Sequence, residues 1–278
     1  MSVQDYNRPV FIDKNTCITL PLMAHDPSTH PMFRRPAIFA PFPNLVAAES
    51  TRHGGVSPAP YASLNLGKST GDAPANTTEN RRRLCAALGF APEQMAWSKQ
   101  VHQDRVRLVS EPGGGEGFDA LITDRPGILL AVSIADCTPI LVFDAQHNAV
   151  AAIHSGWPGT AARITEKTLN SMRDHFGTRG ADCFVYIGTC IDECSFEVGE
   201  EVAVRFDAAH KRYDADKGKY FVDLKQANAA QVLAFGVPES QIGISPYSTV
   251  LNNDDYFSHR KEKGLTGRMM AVIGMRER

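Results

Sequence analysis

Between Ser133 and Gly159 the chain reads SIADCTPILVFDAQHNAVAAIHSGWPG, an apolar run interrupted by Asp136 and Cys137 on the way in and by His154 on the way out. An unpartnered ionisable group in such surroundings is costly or is driven neutral, so these side chains need partners or a task. Taken as a hairpin with Asp144–His147 as a four-residue loop, the run pairs Phe143 with Asn148 and sets Cys137 opposite His154. Directly opposed residues share a face with Cβ atoms roughly 4.5–5.5 Å apart. From that separation a thiolate and an imidazole can grip one ion or share one proton. Pro139 cannot donate to a ladder, which predicts a bulge or an edge at that point. Singly, a Cys in an apolar strand is ordinarily packing and a His an ordinary hydrogen-bonded residue; their opposition is what points to chemistry. That chemistry is either a nucleophile with its base or two ligands of a metal, and the hairpin leaves both open.

The elements around this run set the fold class. With 43% hydrophobic and 22% charged residues over 278 positions, the composition is that of a globular protein able to bury a sizeable core. A net charge of −2 provides no global basic field, which argues against nucleic acid or an anionic membrane as partner. The longest apolar candidate for a membrane span, Gly127 to Phe143, contains Asp136. The amino-terminal residues lack a basic start followed by an apolar stretch, so the expected location is the cytoplasm. Six cysteines scattered through a long chain read as free thiols or ligands rather than disulfides.

Residues 1–35 read as an N-terminal extension and 36–278 as the catalytic domain. Thr51 to Gly67, rich in Gly and Pro, reads as a structured loop. Asn76, with Glu79 three residues on, caps a helix that Gly89 stops. MAWSKQVHQDRVRLVS reads as two short strands around His102, and the Gly-rich EPGGGEGFDA as a flexible loop. Ile128 to Phe143 and Ala149 to His154 read as strands, the first buried on both faces. A helix from about Thr160 to Phe176, a strand ending at VYIGTC, a helix over VGEEVAVRFDAAH, and a helix capped by Asp223 with Gln226 follow. Two strands around a glycine turn close the chain. The class is α+β, a single domain of mixed β-sheets flanked by helices.

Six motifs, TRHGGVS with SLNLG, QVHQDRV, DALITDRPGILLAVSIADCTPILVF, AAIHSGWPGT, GTCIDECSFEVGEEV and FSHRKEKGLTGRM, occur in that order between about Ala47 and Met270. In this series the chain resembles the YfiH-like laccase-domain family. The resemblance implies that His102, Cys137 and His154 are ligands of a zinc ion, with copper as the second candidate, and that these same three residues are catalytic. It further implies phosphorolysis of purine nucleosides, namely adenosine, inosine and methylthioadenosine, and deamination of adenosine. Its partners are then a purine nucleoside and phosphate. Some relatives are instead described as peptidoglycan editing factors acting on a nucleotide-linked precursor, and older descriptions name laccase chemistry. Four coppers demand many histidines, commonly paired as H-x-H; this chain has nine and no such pair, which speaks against laccase chemistry.

Two nitrogens and one sulfur with a fourth position left to water is the pattern of a catalytic rather than a structural zinc. Such an ion supplies the nucleophile for deamination, whereas phosphorolysis needs a cationic grip on phosphate, for which arginine is suited. Arg52 and Arg260 are the candidates, with Asn65 as a contact to ribose or base or as the organiser of its own loop. The turn from His154 into the next helix offers unsatisfied amides to an anion. Asp136 should face away from Cys137 on a regular strand, in a supporting role. Three departures from the family pattern stand out: Asp192-Glu193 inside the GTC segment, Ser248-Thr249 where many relatives have Cys-Thr, and His259 in place of Tyr. The competing functions are a peptidoglycan-precursor amidase or metal-free Cys/His hydrolase, and a non-catalytic metal-binding module.

Overall fold

The computed structural model describes residues 30–277. The first elements are β1 (Phe33–Arg34), β2 (Leu45–Ser50), α1 (Pro74–Leu88), β3 (Met95–Lys99), β4 (Val106–Leu108), β5 (Gly113–Glu116) and β6 (Ala120–Thr123). The centre of the chain forms β7 (Leu129–Ile134), β8 (Thr138–Asp144), β9 (Ala149–Ser155), α2 (Trp157–Ala161), α3 (Ile164–Phe176) and β10 (Cys183–Ile187). The remainder comprises β11 (Glu197–Val198), α4 (Glu200–Ala203), β12 (Lys211–Asp214), β13 (Lys219–Val222), α5 (Leu224–Ala234), β14 (Ile242–Ile244) and β15 (Met269–Met275). Among the described residues no helix is long and apolar enough to cross a membrane.

Two six-stranded sheets, in the orders β1-β2-β15-β7-β3-β5 and β14-β10-β8-β9-β6-β4, carry the fold, with a small sheet β11-β13-β12 beside them. The period of two explains the layering. Ala47, Leu130, Val132 and Ile273 of the first sheet face Leu141, Phe143, Val150 and Ala152 of the second across one core. The residues between them turn outward: Val46, Leu129 and Ala131 pack on Leu84 and Leu88 of α1, while Ile140, Ala151 and Ile153 pack on α3 and α5. The result is helix, sheet, sheet, helix. Both faces of the central strands are buried, which is why they read as continuous apolar runs rather than alternating ones. The α+β class with mixed sheets in a single domain is what the structure has.

Several local expectations change. Ile128 to Phe143 is not one strand but β7 and β8, one in each sheet, and Ala135–Cys137 is the crossover between them. Asp136 makes that corner at φ 81°. The hairpin register is displaced by two residues: Phe143 pairs with Val150 and Pro139, not Cys137, lies opposite His154. Pro139 is accommodated at the end of the β8–β10 ladder, where its carbonyl accepts from Gly188 N. The Gly-rich stretch forms β5, an edge strand on β3, because Gly114 lies against the Trp97 ring where a side chain would collide. Helix α1 starts at Pro74, two residues ahead of Asn76, whose side chain donates to Asp72 instead of capping. Arg163, at φ 61°, breaks the helix expected from Thr160 into α2 and α3. Asp223 caps α5 as expected, accepting from Gln226 N.

The helix expected over VGEEVAVRFDAAH shrinks to the four residues of α4, and only one closing strand forms. The segment set aside as an extension, 1–35, lies outside the described residues up to 29; its last residues are part of the sheet, since β1 pairs with β2.

Candidate active site

Three of the crossovers between the sheets meet at one end of the sandwich. The β3–β4 link carries His102, the β7–β8 link Cys137 and the β5–β6 link Asp119, while His154 is the penultimate residue of β9. Each of these three links leaves one sheet for the other and must turn here, and His102 and Asp136 do so with positive φ.

Ligand atoms of His102, Cys137 and His154 all lie within 4.8 Å of one another. The two imidazoles meet edge to face, with centroids 4.8 Å apart. His154 is buried at the floor, Cys137 is half-buried, and His102 is exposed at the mouth. Gly156 makes the convergence possible: a Cβ there would stand 3.0 Å from Cys137 Sγ and 3.1 Å from His102 Cδ2. The thiol and imidazole that a direct cross-strand pair was expected to join thus meet because the chain turns, across a position that carries no side chain.

Asp119 organises the cluster from behind. Its Oδ1 accepts from His154 Nδ1 at 2.8 Å and from the backbone N–H of His102 at 3.0 Å. Its Oδ2 accepts from the N–H of Val101 and of Gln103, at 3.2 and 3.0 Å. One carboxylate therefore aims one imidazole directly and fixes the backbone that carries the other. With Nδ1 committed, Nε2 is the His154 nitrogen left for Cys137 or an ion. Burial alone would raise the Asp119 carboxyl, but the His154 bond and the N–H donors hold it below its ordinary range. Burial would likewise raise the Cys137 thiol, yet the charge of His154 and the His102 bond bring it down to about 6. Burial opposes charge on His154 too, and Cys137 and Asp119 nevertheless hold it up to about 9. At neutral pH the pair is a thiolate and an imidazolium. A deprotonated sulfur, two imidazoles at one point, and a carboxylate on the far nitrogen of one of them are a donor set that fits a zinc-class ion.

The remaining candidates fare differently. Arg52 is committed to the chain: Nε donates to Ala62 O, Nη1 to Asn253 O and Nη2 to Glu262, with the guanidinium over the Phe257 ring. A phosphate would have to compete with all three acceptors, so this residue holds its loop rather than offering an open grip. Asn65 is fully buried, donating to Thr70 and Asp72 and accepting from Gly67 N and Arg268 N, which makes it the organiser of its loop. Arg260 is exposed beside the site. Its backbone N donates to Asp136 Oδ2, and its Nη1 reaches Ser195 O and Glu197 O. Asp136 also accepts from Ser258 and Thr249, tying the corner next to Cys137 to two distant segments. Thr249 thereby has a structural task.

Helix α2 is only five residues long and has Pro158 in its first turn, so it lacks the row of amides an anion needs. Cys190 is fully buried and its thiol is pushed up to about 12 by that burial, as befits packing. Sequence reasoning passed over Asp119 and Arg268. An Asp opening the buried strand Ala120–Thr123 raises the same question as Asp136 and was visible on that ground. Arg268 had no such signal; burial lowers its pKa while the charges of Asp136 and Cys137 raise it, which marks a guanidinium close to the site.

Residues 46–276 match the family model described as "Multi-copper polyphenol oxidoreductase laccase". A Deinococcus radiodurans protein named "Purine nucleoside phosphorylase" is 39% identical over 250 residues, covering 89% of this chain and 94% of the relative. One of the same name from Bacteroides thetaiotaomicron is 37% identical over 251 residues, covering 84% and 92%. The crystal structure of YlmD from Geobacillus stearothermophilus superposes with a TM-score of 0.83 at 35% identity, covering 88% of this chain and 99% of that one.

Proposed function

The chain belongs to the multi-copper polyphenol oxidoreductase laccase family, and from that membership we propose that it is a zinc-dependent purine nucleoside enzyme. It cleaves inosine, adenosine and methylthioadenosine with phosphate and deaminates adenosine. The relatives' shared name supports the substrate class. The observation that carries the reading is the convergence of His102, Cys137 and His154 with Asp119 behind them. Among the described residues just one other group of three could hold an ion, too few for four coppers. The His, His, Cys set also accepts a single copper. Zinc is preferred because neither phosphorolysis nor hydrolytic deamination changes an oxidation state.

His154, His102 and Cys137 would hold the ion, which when bound supplies Lewis acidity and lowers the pKa of water. The protein's own contribution is orientation. Asp119 holds a proton on His154 Nδ1, so that the proton given up to an ion is the one on Nε2, and Cys137 enters already anionic. Arg260, fixed through its backbone by Asp136, is the exposed cation that meets phosphate at the mouth. Its two carbonyl contacts are weaker claims on a guanidinium than the carboxylate that holds Arg52.

The thiolate–imidazolium pair also supports a second reading, a metal-free hydrolase with Cys137 as nucleophile and His154 as its acid and base. One experiment separates them. The purified chain is incubated with each nucleoside, with and without phosphate, before and after chelation, and the products are resolved. Phosphate-dependent release of the base and phosphate-independent conversion of adenosine to inosine, both lost on chelation and restored by zinc, are expected. No base release from any of the three nucleosides by the zinc-loaded protein overturns the proposal, and hydrolysis that survives chelation favours the second reading.

A further inference from the structure

A second cluster lies outside the catalytic centre. His30 Nδ1 and His53 Nε2 both contact Asp255 Oδ1, each at 2.9 Å, and the two imidazoles stack with centroids 4.2 Å apart. Their ligand atoms lie within 4.8 Å of one another, as those of the first cluster do. The three residues come from three separated segments: the chain just ahead of β1, the loop after β2, and the loop ahead of Tyr256. Arg34 Nη2 donates to the other oxygen, Oδ2, at 2.9 Å, which turns Oδ1 toward the imidazoles. His30 is about half exposed and Asp255 largely covered, so the point where they meet is open to solvent on one side.

We propose that His30, His53 and Asp255 form a second cation site, selective for a divalent first-row transition ion of the zinc class. Two imidazoles and one carboxylate suit such ions, whereas magnesium and calcium take oxygen ligands. The cluster is already close to the required shape. Around a tetrahedral ion with bonds of about 2.0–2.1 Å, donor atoms stand roughly 3.3–3.4 Å apart. The two 2.9 Å contacts need to open by only about half an ångström to admit one. An ion there satisfies in one stroke two stacked imidazole nitrogens that otherwise compete for a single oxygen. Arg34 opposes the ion's charge but serves as the partner that orients the carboxylate.

The consequence is mechanical rather than chemical. Thr51 N and Oγ1 already donate to Met32 O and Pro31 O, and Arg52 N donates to Asp255 O. An ion on His30, His53 and Asp255 clamps the entering chain to the segment that runs on to Ser258, whose hydroxyl holds Asp136. The inference stands independently of the proposed activity.

The test counts ions. The metal-stripped full-length chain is titrated with Zn²⁺ and, in parallel, with Co²⁺, whose thiolate charge-transfer band reports the Cys137 centre alone. Wild type is expected to bind two equivalents. His30→Ala and His53→Ala are each expected to weaken one equivalent at least about tenfold, the scale on which losing even an outer partner acts, while keeping the thiolate band. Cys137→Ala is expected to lose the band and keep the other equivalent, together with a Zn²⁺-dependent rise in Tm that His30→Ala in the same background abolishes. A single equivalent in wild type that carries the thiolate band, or a second equivalent that neither histidine variant weakens, overturns the site. Failure of the catalytic centre shows separately, as absence of the thiolate band with the second equivalent intact.

Discussion

Asp119→Asn is the most demanding test of how the catalytic cluster is built, because it removes a charge without changing shape. Four N–H donors converge on the two carboxylate oxygens, and the side chain is buried. An amide keeps one oxygen and turns two hydrogens toward the other pair of donors. At least two charge-assisted bonds, worth about 1.5–3 kcal/mol each, are then lost, or roughly 3–6 kcal/mol together. At about 2–4 °C per kcal/mol for a large domain, the lower figure corresponds to a fall in Tm of about 6–12 °C. Either orientation of the amide harms the site. With its oxygen toward Val101 and Gln103, the NH₂ faces His154 Nδ1 and drives the imidazole proton to Nε2, where the ion needs a lone pair. With its oxygen toward His154, the Val101 and Gln103 amides are left unpaired and the turn that carries His102 loosens. Zinc affinity should drop by about ten- to a hundredfold, the usual scale for losing the carboxylate behind a ligating histidine. Chelator competition and thermal unfolding on the same samples measure both quantities. A variant that binds zinc within twofold of wild type and melts within 2 °C of it would show that Asp119 is not the organiser described here.

Three further outcomes follow from the same geometry. Gly156→Ala should fold, since φ is −69° there, yet bind zinc at least about tenfold more weakly, because the new methyl meets Cys137 Sγ and His102 Cδ2; wild-type affinity in a chelator titration refutes the close approach. In the metal-stripped protein, Cys137 is held near 6 from an ordinary 9.0 and His154 near 9 from an ordinary 6.5. The stability the thiolate lends is therefore lost as pH falls through about 6, that of the imidazolium as pH rises through about 9, and the ion pair occupies the window between. Alkylation of Cys137 by iodoacetamide should rise with a midpoint near 6, and a midpoint near 9 refutes the pairing. Arg260→Ala should depress inosine phosphorolysis by at least about tenfold, the scale of one charge-assisted contact, and spare adenosine deamination; equal losses in both rates would assign Arg260 to the nucleoside or the fold.

How much of this was legible in the sequence depends on the range of the interaction concerned. The strand pair that ends at His154 could be read because strand side chains alternate with a period of two, but Cys137 stands ahead of β8 and reaches His154 from the corner. The expected register was wrong by two residues, and a slip of two, unlike a slip of one, leaves every side chain on its own face. The Asp223 cap was equally legible, since its partner is three residues away. The break between β7 and β8 was not, because the apolar run continues through it and only the assignment of its halves to different sheets makes Ala135–Cys137 a corner.

From the sequence alone came the α+β class, the doubly buried strands, the three residues that converge, and a resemblance that named a chemistry; all of these rest on local pattern or motif order. Tertiary structure alone decided why the three meet, which is that three crossovers between two sheets turn at the same end, with Asp119 bonded to two of the ligand segments and Gly156 leaving room for a sulfur and an imidazole. It also showed Arg52 and Asn65 hydrogen-bonded within their loops and joined His30 and His53 to Asp255, more than two hundred positions away. Such pairings are set by how the sheets stack and where their links return, and no periodicity along the chain encodes them.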